Sequence, residues 1–218
     1  MRWLALATLA LAACTGGVQT RTLHFQGGQR WSEIQLRYGV PEGLWRTWYE
    51  NGQTRSEGRY AAGKREGPWT TWWESGQKQA EGSFENGRQH GLWTYWFESG
   101  LAASQGRLEH GVAEGEWVDW YGSGTRRAQV TYREGQMDLV ARMFFPSGQL
   151  EHEWTYDRGI LDGPYRNFRE DGRTWVIGEY DHNKRVDLWL VYRPDGSLHE
   201  ELSGYYEDGK RVRPAPKE

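Results

Sequence analysis

The strongest constraint on this chain is an internal repeat with a period of 24 residues. Gly43, Gly67, Gly91 and Gly115 lie 24 residues apart, and each opens a segment of similar letters, such as GLWRTWYENGQTRSEGRYAAGKRE at 43–66. The repeat region, 19–212, divides into eight copies: 19–42, 43–66, 67–90, 91–114, 115–138, 139–162, 163–186 and 187–212. The first copy lacks the tryptophans that mark the others, and the last has about two extra residues, as expected of terminal units in a stack.

Two turn signals divide each copy into strand-length segments. Positions are counted from the first residue of a copy. From 43 onward, position ten is glycine after Asn, Ser or Asp, as in Asn51-Gly52, and position twenty-one is usually glycine, as in Gly63. About eight residues separate the signals, which suits a strand, and no segment has helical periodicity. We therefore expect an all-β fold: an elongated, single-layer antiparallel β-meander of about eight 24-residue hairpin repeats. A two-residue turn should occupy positions nine and ten, and a four-residue loop should follow at 62–65.

These loops set the register of the strands and define a packed aromatic face. The two-residue turn pairs position three with sixteen and position one with eighteen, so Trp45 faces Gly58 and Tyr60 faces Gly43. A ring lying across from glycine covers the place of the missing side chain. Stacking without slippage also requires position sixteen to face position three of the next copy. Position seven, such as Tyr49, shares this face.

Position six lies on the opposite face because side chains alternate along a strand. Its neighbours there are mostly polar, and Arg46 should lie across from Glu57. The prediction is a column of aromatic rings roughly 9–10 Å apart on a polar face. As a partner-binding surface, this column comprises Trp48, Trp72, Trp96, Trp120, Phe144, Phe168 and Tyr192. Two other interpretations stay open: the rings stiffen and shield a thin sheet, or they stack against the sugars of a polysaccharide such as peptidoglycan.

The first residues resemble a processed leader and not a part of the fold. Residues 1–13 have a short basic start and an apolar run, which predicts a lipoprotein signal peptide. Cys14 follows Leu-Ala-Ala, as in a bacterial lipobox, and is the predicted lipidation site and membrane anchor. We assign 14–18 to a short tether and 213–218 to a polar tail. Thr15, in place of an aspartate, favours the outer membrane in a Gram-negative cell.

Charge and cysteine content exclude several classes of function. Lys and Arg number 27 against 30 Asp and Glu, for a net charge of -3, so no basic surface is available for nucleic acid. Cys14 is the only cysteine, which excludes an internal disulfide. After the leader, no apolar run approaches the roughly 20 residues of a membrane helix.

The polar residues do not suggest catalysis. The histidines lack the spacing of a metal-binding helix, and the nearest approach to a cluster is Glu151-His152-Glu153, where His152 should point away from both glutamates. The six histidines are His24, His90, His110, His152, His182 and His199. Carboxylates that recur in every copy, such as Glu50 and Glu74, indicate a structural motif and not a catalytic pair. We expect no enzyme activity, no cofactor and no metal.

The pattern G-x-W-x-x-W/F-Y-x-x-G with a later Tyr-x-x-Gly resembles the MORN repeat (membrane occupation and recognition nexus) in its bacterial variant form. The resemblance covers 43–212 well and 19–42 weakly. It implies an elongated, twisted β-meander used for protein or membrane contact, and some bacterial relatives are described as antitoxin-like. Doubled aromatics and single glycines depart from the eukaryotic pattern.

The expected function is that of a non-catalytic, envelope-anchored lipoprotein whose repeat sheet binds or scaffolds a protein partner. Its location would be the cell envelope, on the periplasmic face of the outer membrane in a Gram-negative cell. Two alternatives remain: binding of cell-wall carbohydrate, and antitoxin-like or immunity-like occlusion of an enzyme.

Overall fold

A computed structural model describes residues 17–216, and this range is all-β. It contains seventeen strands and no helix, which confirms the predicted fold class. Strands and turns follow one another through 43–186 as the repeat predicts. The chain divides after Gly111 into two units, which are described in turn. The predicted signal peptide and Cys14 lie outside the described residues.

In the first unit each strand pairs antiparallel with the next one along the chain. Its strands are β1 (Val18–His24), β2 (Arg30–Arg37), β3 (Val40–Trp48), β4 (Thr54–Ala61), β5 (Lys64–Trp72), β6 (Lys78–Glu85), β7 (Arg88–Trp96) and β8 (Ala102–Glu109).

The second unit repeats this order from β9 onward, again with each strand antiparallel to its successor. Its strands are β9 (Val112–Trp120), β10 (Arg126–Arg133), β11 (Gln136–Phe144), β12 (Leu150–Asp157), β13 (Ile160–Phe168), β14 (Thr174–Asp181), β15 (Lys184–Val191), β16 (Gly204–Glu207) and β17 (Lys210–Pro214). In the last copy Gly204 still pairs with Trp189, so its extra residues leave the register intact.

The predicted loop types were wrong, because the short and long loops are exchanged. The two-residue turn is at positions twenty and twenty-one, where Ala62 and Gly63 have φ of 48° and 80°. Positive φ at both central residues is the requirement of a type I′ hairpin turn. The other connection runs from Tyr49 to Gln53, closed by a 2.9 Å bond between the Tyr49 amide and the Gln53 carbonyl. There Asn51 Oδ1 accepts from the amide of Gln53 at 2.9 Å, a local bond typical of Asx turns.

The register within each hairpin agrees with the sequence analysis. Trp45 pairs with Gly58 and Gly43 with Tyr60. The register from copy to copy is restored differently from expectation. Gly58 of β4 stands against three residues of β5, which form a β-bulge at Gly67 (φ 72°). This bulge compensates for the short turn, so equivalent residues still line up every 24 positions.

Glycine at position sixteen leaves space for the tryptophan of the following copy. A Cβ on Gly58 would lie 2.0 Å from Trp69 Cε3, and one on Gly82 would lie 2.3 Å from Trp93 Cδ2. Neither glycine has a positive φ, so volume and not backbone conformation requires it. The first copy is an exception, since Ile34 stands at position sixteen and Trp45 is only half-buried.

In the sixth copy the small residue is at position three and the tryptophan is at position sixteen, the reverse of the arrangement in the copies with Trp and Gly. Position three is Ala141, which is 2% exposed, and the residue paired with it is Trp154. Position sixteen of the preceding copy is Val130, so a larger side chain occurs where no tryptophan follows. The volume of the packed face is conserved although its sequence is not.

The core of each unit is this aromatic face. In the first unit, Trp69 and Trp93 are each 3% exposed, and the ring of Phe84 lies edge-on to both, with centroids 5.4 and 5.3 Å away. In the second unit Trp189 is fully buried. Edge-to-face pairs of this kind add to the free energy of burial.

Candidate interaction surface

The aromatic column at position six projects from the face opposite to the core. In β5, Trp69 and Trp72 are three residues apart, and the extra residue of the nearby irregularity lies on β6. Side chains of β5 therefore alternate without interruption from Trp69 to Trp72, which places these two rings on opposite faces. The same arrangement holds for Trp45 with Trp48 and for Trp93 with Trp96.

The rings of the column are half-buried and not fully exposed. This intermediate burial is shared by Trp48, Trp72, Trp96, Trp120, Phe144, Phe168 and Tyr192. On the core face the rings contact one another, as Trp45 and Trp69 do at 5.1 Å between centroids. The residue paired across the strand from a ring of the column is polar in four copies, as Lys78 is for Trp72, and apolar in three, as Leu150 is for Phe144.

Cations from position twelve lie over alternate rings of the column. Arg30 Cζ is 5.1 Å from the ring centroid of Trp48 and Lys78 Nζ is 5.7 Å from that of Trp96. In the second unit, Arg126 Cζ is 5.8 Å from the ring centroid of Phe144. Such cation–π contacts hold the long side chains against the sheet.

The same cations also contact the residue three positions later. Lys78 Nζ lies 2.5 Å from Glu81 Oε2, and Arg126 donates to Gln129 Oε1 at 3.1 Å. The cations are therefore held by a ring on one side and by a polar group on the other. This arrangement presents both signs of charge beside the rings.

The predicted pair between Arg46 and Glu57 is formed. Arg46 Nε donates to Glu57 Oε2 at 2.7 Å, and this hydrogen bond together with the charge of Glu57 raises the pKa of Arg46. Its counterpart in the second unit joins Arg142 Nε to Glu153 Oε2 at 2.8 Å. Exposed pairs of this kind contribute little to stability, so their main effect is to order the polar face.

Side chains at position seven support the backbone of the column. The Tyr49 hydroxyl donates to the carbonyl of Trp72 at 2.8 Å, and Trp73 Nε1 donates to that of Trp96 at 3.2 Å. Position seven lies just beyond the strand end, and its polar atom reaches the next copy. These bonds connect neighbouring copies at the edge where the column lies.

Glu151, His152 and Glu153 form no joint site. His152 Nδ1 lies 2.7 Å from Asn167 Oδ1 and its ring stacks on Trp154, whereas Glu153 pairs with Arg142 on the other face. Glu151 Oε1 lies 3.3 Å from His152 Nε2. His152 therefore points away from Glu153, as expected, but the expectation was wrong for Glu151. Glu151 is the extra residue of a β-bulge in β12, which brings its carboxylate to His152.

The structure contains a second histidine group, which was not predicted from the sequence. Glu85, His90 and His110 bring one potential ligand atom each within 4.8 Å of one another. Helical spacing does not apply to these residues, since they come from two neighbouring strands, β6 and β7, and the turn after β8. Another group of three, in the second unit, contains Asp162, Asp181 and His182. There the hydrogen bond with Asp181, followed by its charge, raises the pKa of His182.

Comparison with known families identifies the repeat. The family described as MORN repeat variant matches residues 41–62, 65–86 and 137–158. Three hairpins of this chain match the MORN repeat variant. They are β3–β4, β5–β6 and β11–β12. No curated protein matches the chain. Among the described residues, no helix is long and apolar enough to cross a membrane.

Proposed function

We propose that this protein is a non-catalytic MORN-repeat lipoprotein of the cell envelope that binds a protein partner through the polar face of its sheet. MORN repeats are often protein-binding or membrane-binding modules, which agrees with a binding role. The observation that carries the proposal is the aromatic column with its bordering cations. It provides half-buried Trp side chains, such as Trp72 and Trp96, beside Lys78 and the pair of Arg46 and Glu57.

The composition of this surface suits a protein partner. Trp, Tyr and Arg are the residues that most often dominate the energy of protein–protein interfaces. A partly buried ring loses little conformational freedom on binding, and the tyrosine and tryptophan bonds to the next copy restrict the backbone further. Charges of both signs around the rings would select a partner with complementary charges.

Cations over alternate rings favour a protein over a polysaccharide. A glycan chain stacks best on open ring faces, and a charged side chain covers one side of Trp48, Trp96 and Phe144. In the first unit, where the column comprises Trp48, Trp72 and Trp96, a continuous sugar platform is therefore interrupted at two of the three rings. A protein can instead pair its own acidic groups with Arg30, Lys78 and Arg126.

Capture from solubilised envelopes of the source cells tests the proposal. The wild-type chain should retain one protein in stoichiometric amount, and the double variant W72A/W96A should retain much less of it. The matched control is T70A/T94A, which changes two smaller residues of the same face. Retention on insoluble peptidoglycan, lost in W72A/W96A, would instead support the carbohydrate alternative. Capture of a toxin-like enzyme would support the immunity alternative.

The envelope location rests on the leader sequence and Cys14. Two or three acyl chains on this residue would anchor the protein stably, at about 0.8 kcal/mol for each buried methylene. The variant Cys14→Ala should leave the membrane fraction when cells are broken and fractionated. A chain that stays with the membrane after this change would contradict the lipid anchor.

A further inference from the structure

We propose that Glu85, His90 and His110 form a binding site for a divalent transition-metal ion such as Zn²⁺, at one edge of the first unit. The site is independent of the aromatic column. Its potential ligand atoms are Glu85 Oε2, His90 Nδ1 and His110 Nε2, which all lie within 4.8 Å of one another.

The strand order explains why these residues meet. Glu85 ends β6, His90 lies in β7 opposite Ser83 of β6, and His110 follows the end of β8. Since β6, β7 and β8 are consecutive neighbours, residues separated by up to 25 positions reach the same edge. His110 is the first central residue of a type I′ turn, with φ of 52°. From this turn its Nε2 atom lies 3.1 Å from Glu85 Oε2.

His90 breaks a pattern that most of the copies keep, the other exception being Val186 of the seventh copy. At position twenty-four a carboxylate usually accepts a bond from the backbone amide at position twenty of the next copy. Glu42 does so with Ala62 at 2.8 Å, and Glu66 with Asn86 at 2.9 Å. Glu114 continues the pattern with Glu134 at 2.9 Å. His90 stands where these copies have the carboxylate. Position twenty of the following copy is also a histidine, His110.

The distances suit a small metal ion. Glu85 Oε2 lies 3.1 Å from His110 Nε2 and 3.7 Å from His90 Nδ1. Ligand atoms about 2.0–2.1 Å from a tetrahedral Zn²⁺ are separated from one another by about 3.4 Å. Small adjustments of three side chains would therefore complete the coordination, with water as a fourth ligand.

His90 Nδ1 is also a buried nitrogen without a hydrogen bond. It lies 3.0 Å from Glu109 Oε2, but the geometry of this contact is not that of a hydrogen bond. Buried polar atoms normally have partners, so an unpaired one requires an explanation. A bound cation would provide the partner.

Two carboxylates make the surroundings favourable for a cation. Glu85 and Glu109 both contact His90, and Arg107 Nε donates to Glu109 Oε1 at 2.7 Å. Nitrogen and oxygen ligands in this mixture favour Zn²⁺ and its neighbours over Ca²⁺ or Mg²⁺, which prefer oxygen alone.

Titration of Zn²⁺ into the purified full chain in detergent, against a chromophoric chelator, tests the site. The Cys14→Ala background removes the only thiol. We expect one tight site per chain, and a loss of affinity of at least about 100-fold in His110→Asn and in His90→Glu. Both replacements preserve the fold, because Asn86 occupies the position of His110 one copy earlier and Glu66 the position of His90.

The matched control is His24→Asn in β1, because His24 belongs to neither potential metal group. It should bind Zn²⁺ like the parent chain. NMR signals of the His90 and His110 imidazoles should shift on addition of one equivalent. Absence of binding at micromolar Zn²⁺, or wild-type affinity in both His110→Asn and His90→Glu, would overturn the proposal.

Discussion

Replacing Trp69 with alanine is expected to lower the free energy of unfolding by about 3–5 kcal/mol, the range for deleting a large buried aromatic side chain. Trp69 is 3% exposed and lies against Trp45, Tyr60 and Phe84 at centroid distances of 5.1, 5.8 and 5.4 Å. Arg65 Cζ covers its outer side at 4.7 Å. No neighbour can fill the volume of an indole, so a cavity would remain. Urea unfolding followed by tryptophan fluorescence and circular dichroism measures the change.

Trp72→Ala is the matched control in the same strand. Its ring is half-buried and lies on the opposite face, so the expected loss is about 1 kcal/mol, which is typical of a single substitution. Equal losses for Trp69→Ala and Trp72→Ala would show that the column is a second core. The assignment of the column to binding would then fail.

Gly82→Ala should destabilise the protein by about 1–3 kcal/mol, as overpacking of a core does. The added Cβ would lie 2.3 Å from both Cδ2 and Cε2 of Trp93. These atoms belong to a rigid bicyclic ring that packs against Phe84 and donates from Nε1 to the Ser83 carbonyl at 3.1 Å. Either the indole or the strand must therefore move. Thermal and urea unfolding of the variant give the magnitude.

Gly122→Ala provides the control for this prediction. Gly122 has no positive φ, and a Cβ there would meet no atom within 4 Å. Such a change should be neutral, or should stabilise the protein by about 0.4–1 kcal/mol because alanine lowers the conformational entropy of the unfolded chain. Only Gly82→Ala is therefore expected to lower the free energy of unfolding. In a double variant with Trp93→Ala, the cost of Gly82→Ala should disappear, and its persistence would contradict the steric explanation.

The strand order and the pairing within hairpins were predictable because the repeat samples the same geometry many times. Trp45 opposite Gly58 is one of several equivalent pairs. Counting residues outward from the turn of each copy predicts the same pairing of positions three and sixteen. The exchange of Ala141 with Trp154 follows the same volume rule. In a repeat, the pairing predicted for one copy can be checked against the residues of the others, which is not possible for a single hairpin.

The loop types were not predictable from dipeptide preference alone. Asn51-Gly52 is a typical type I′ pair, yet only Gly52 has a positive φ there, and the type I′ turn forms at Ala62-Gly63. The long loop is stabilised by tertiary bonds, such as Asn51 Nδ2 donating to the carbonyl of Glu74 at 2.9 Å. Such bonds depend on residues of the neighbouring copy, so the residues of the turn alone do not predict them.

In the candidate sites, too, features set by one strand were predictable and contacts between different copies were not. The column at position six was predictable, since alternation along a strand decides the face of Trp72 and its equivalents. The cations over alternate rings were not, because they come from the preceding copy. The group of His90 and His110 was missed because the search considered spacing along the chain. At position twenty-four five copies have a carboxylate, and only His90 among the exceptions, His90 and Val186, could bind a metal ion.

The affinity of the captured envelope protein for the wild-type chain and for W72A/W96A tests the account most directly. We predict a loss of at least about 100-fold, since each interface tryptophan typically contributes about 2 kcal/mol or more and 1.4 kcal/mol corresponds to tenfold. T70A/T94A should stay within a few-fold of the wild type. Unchanged affinity in W72A/W96A, with a lowered unfolding temperature as the only effect, would show that the aromatic column stabilises the sheet and binds no partner.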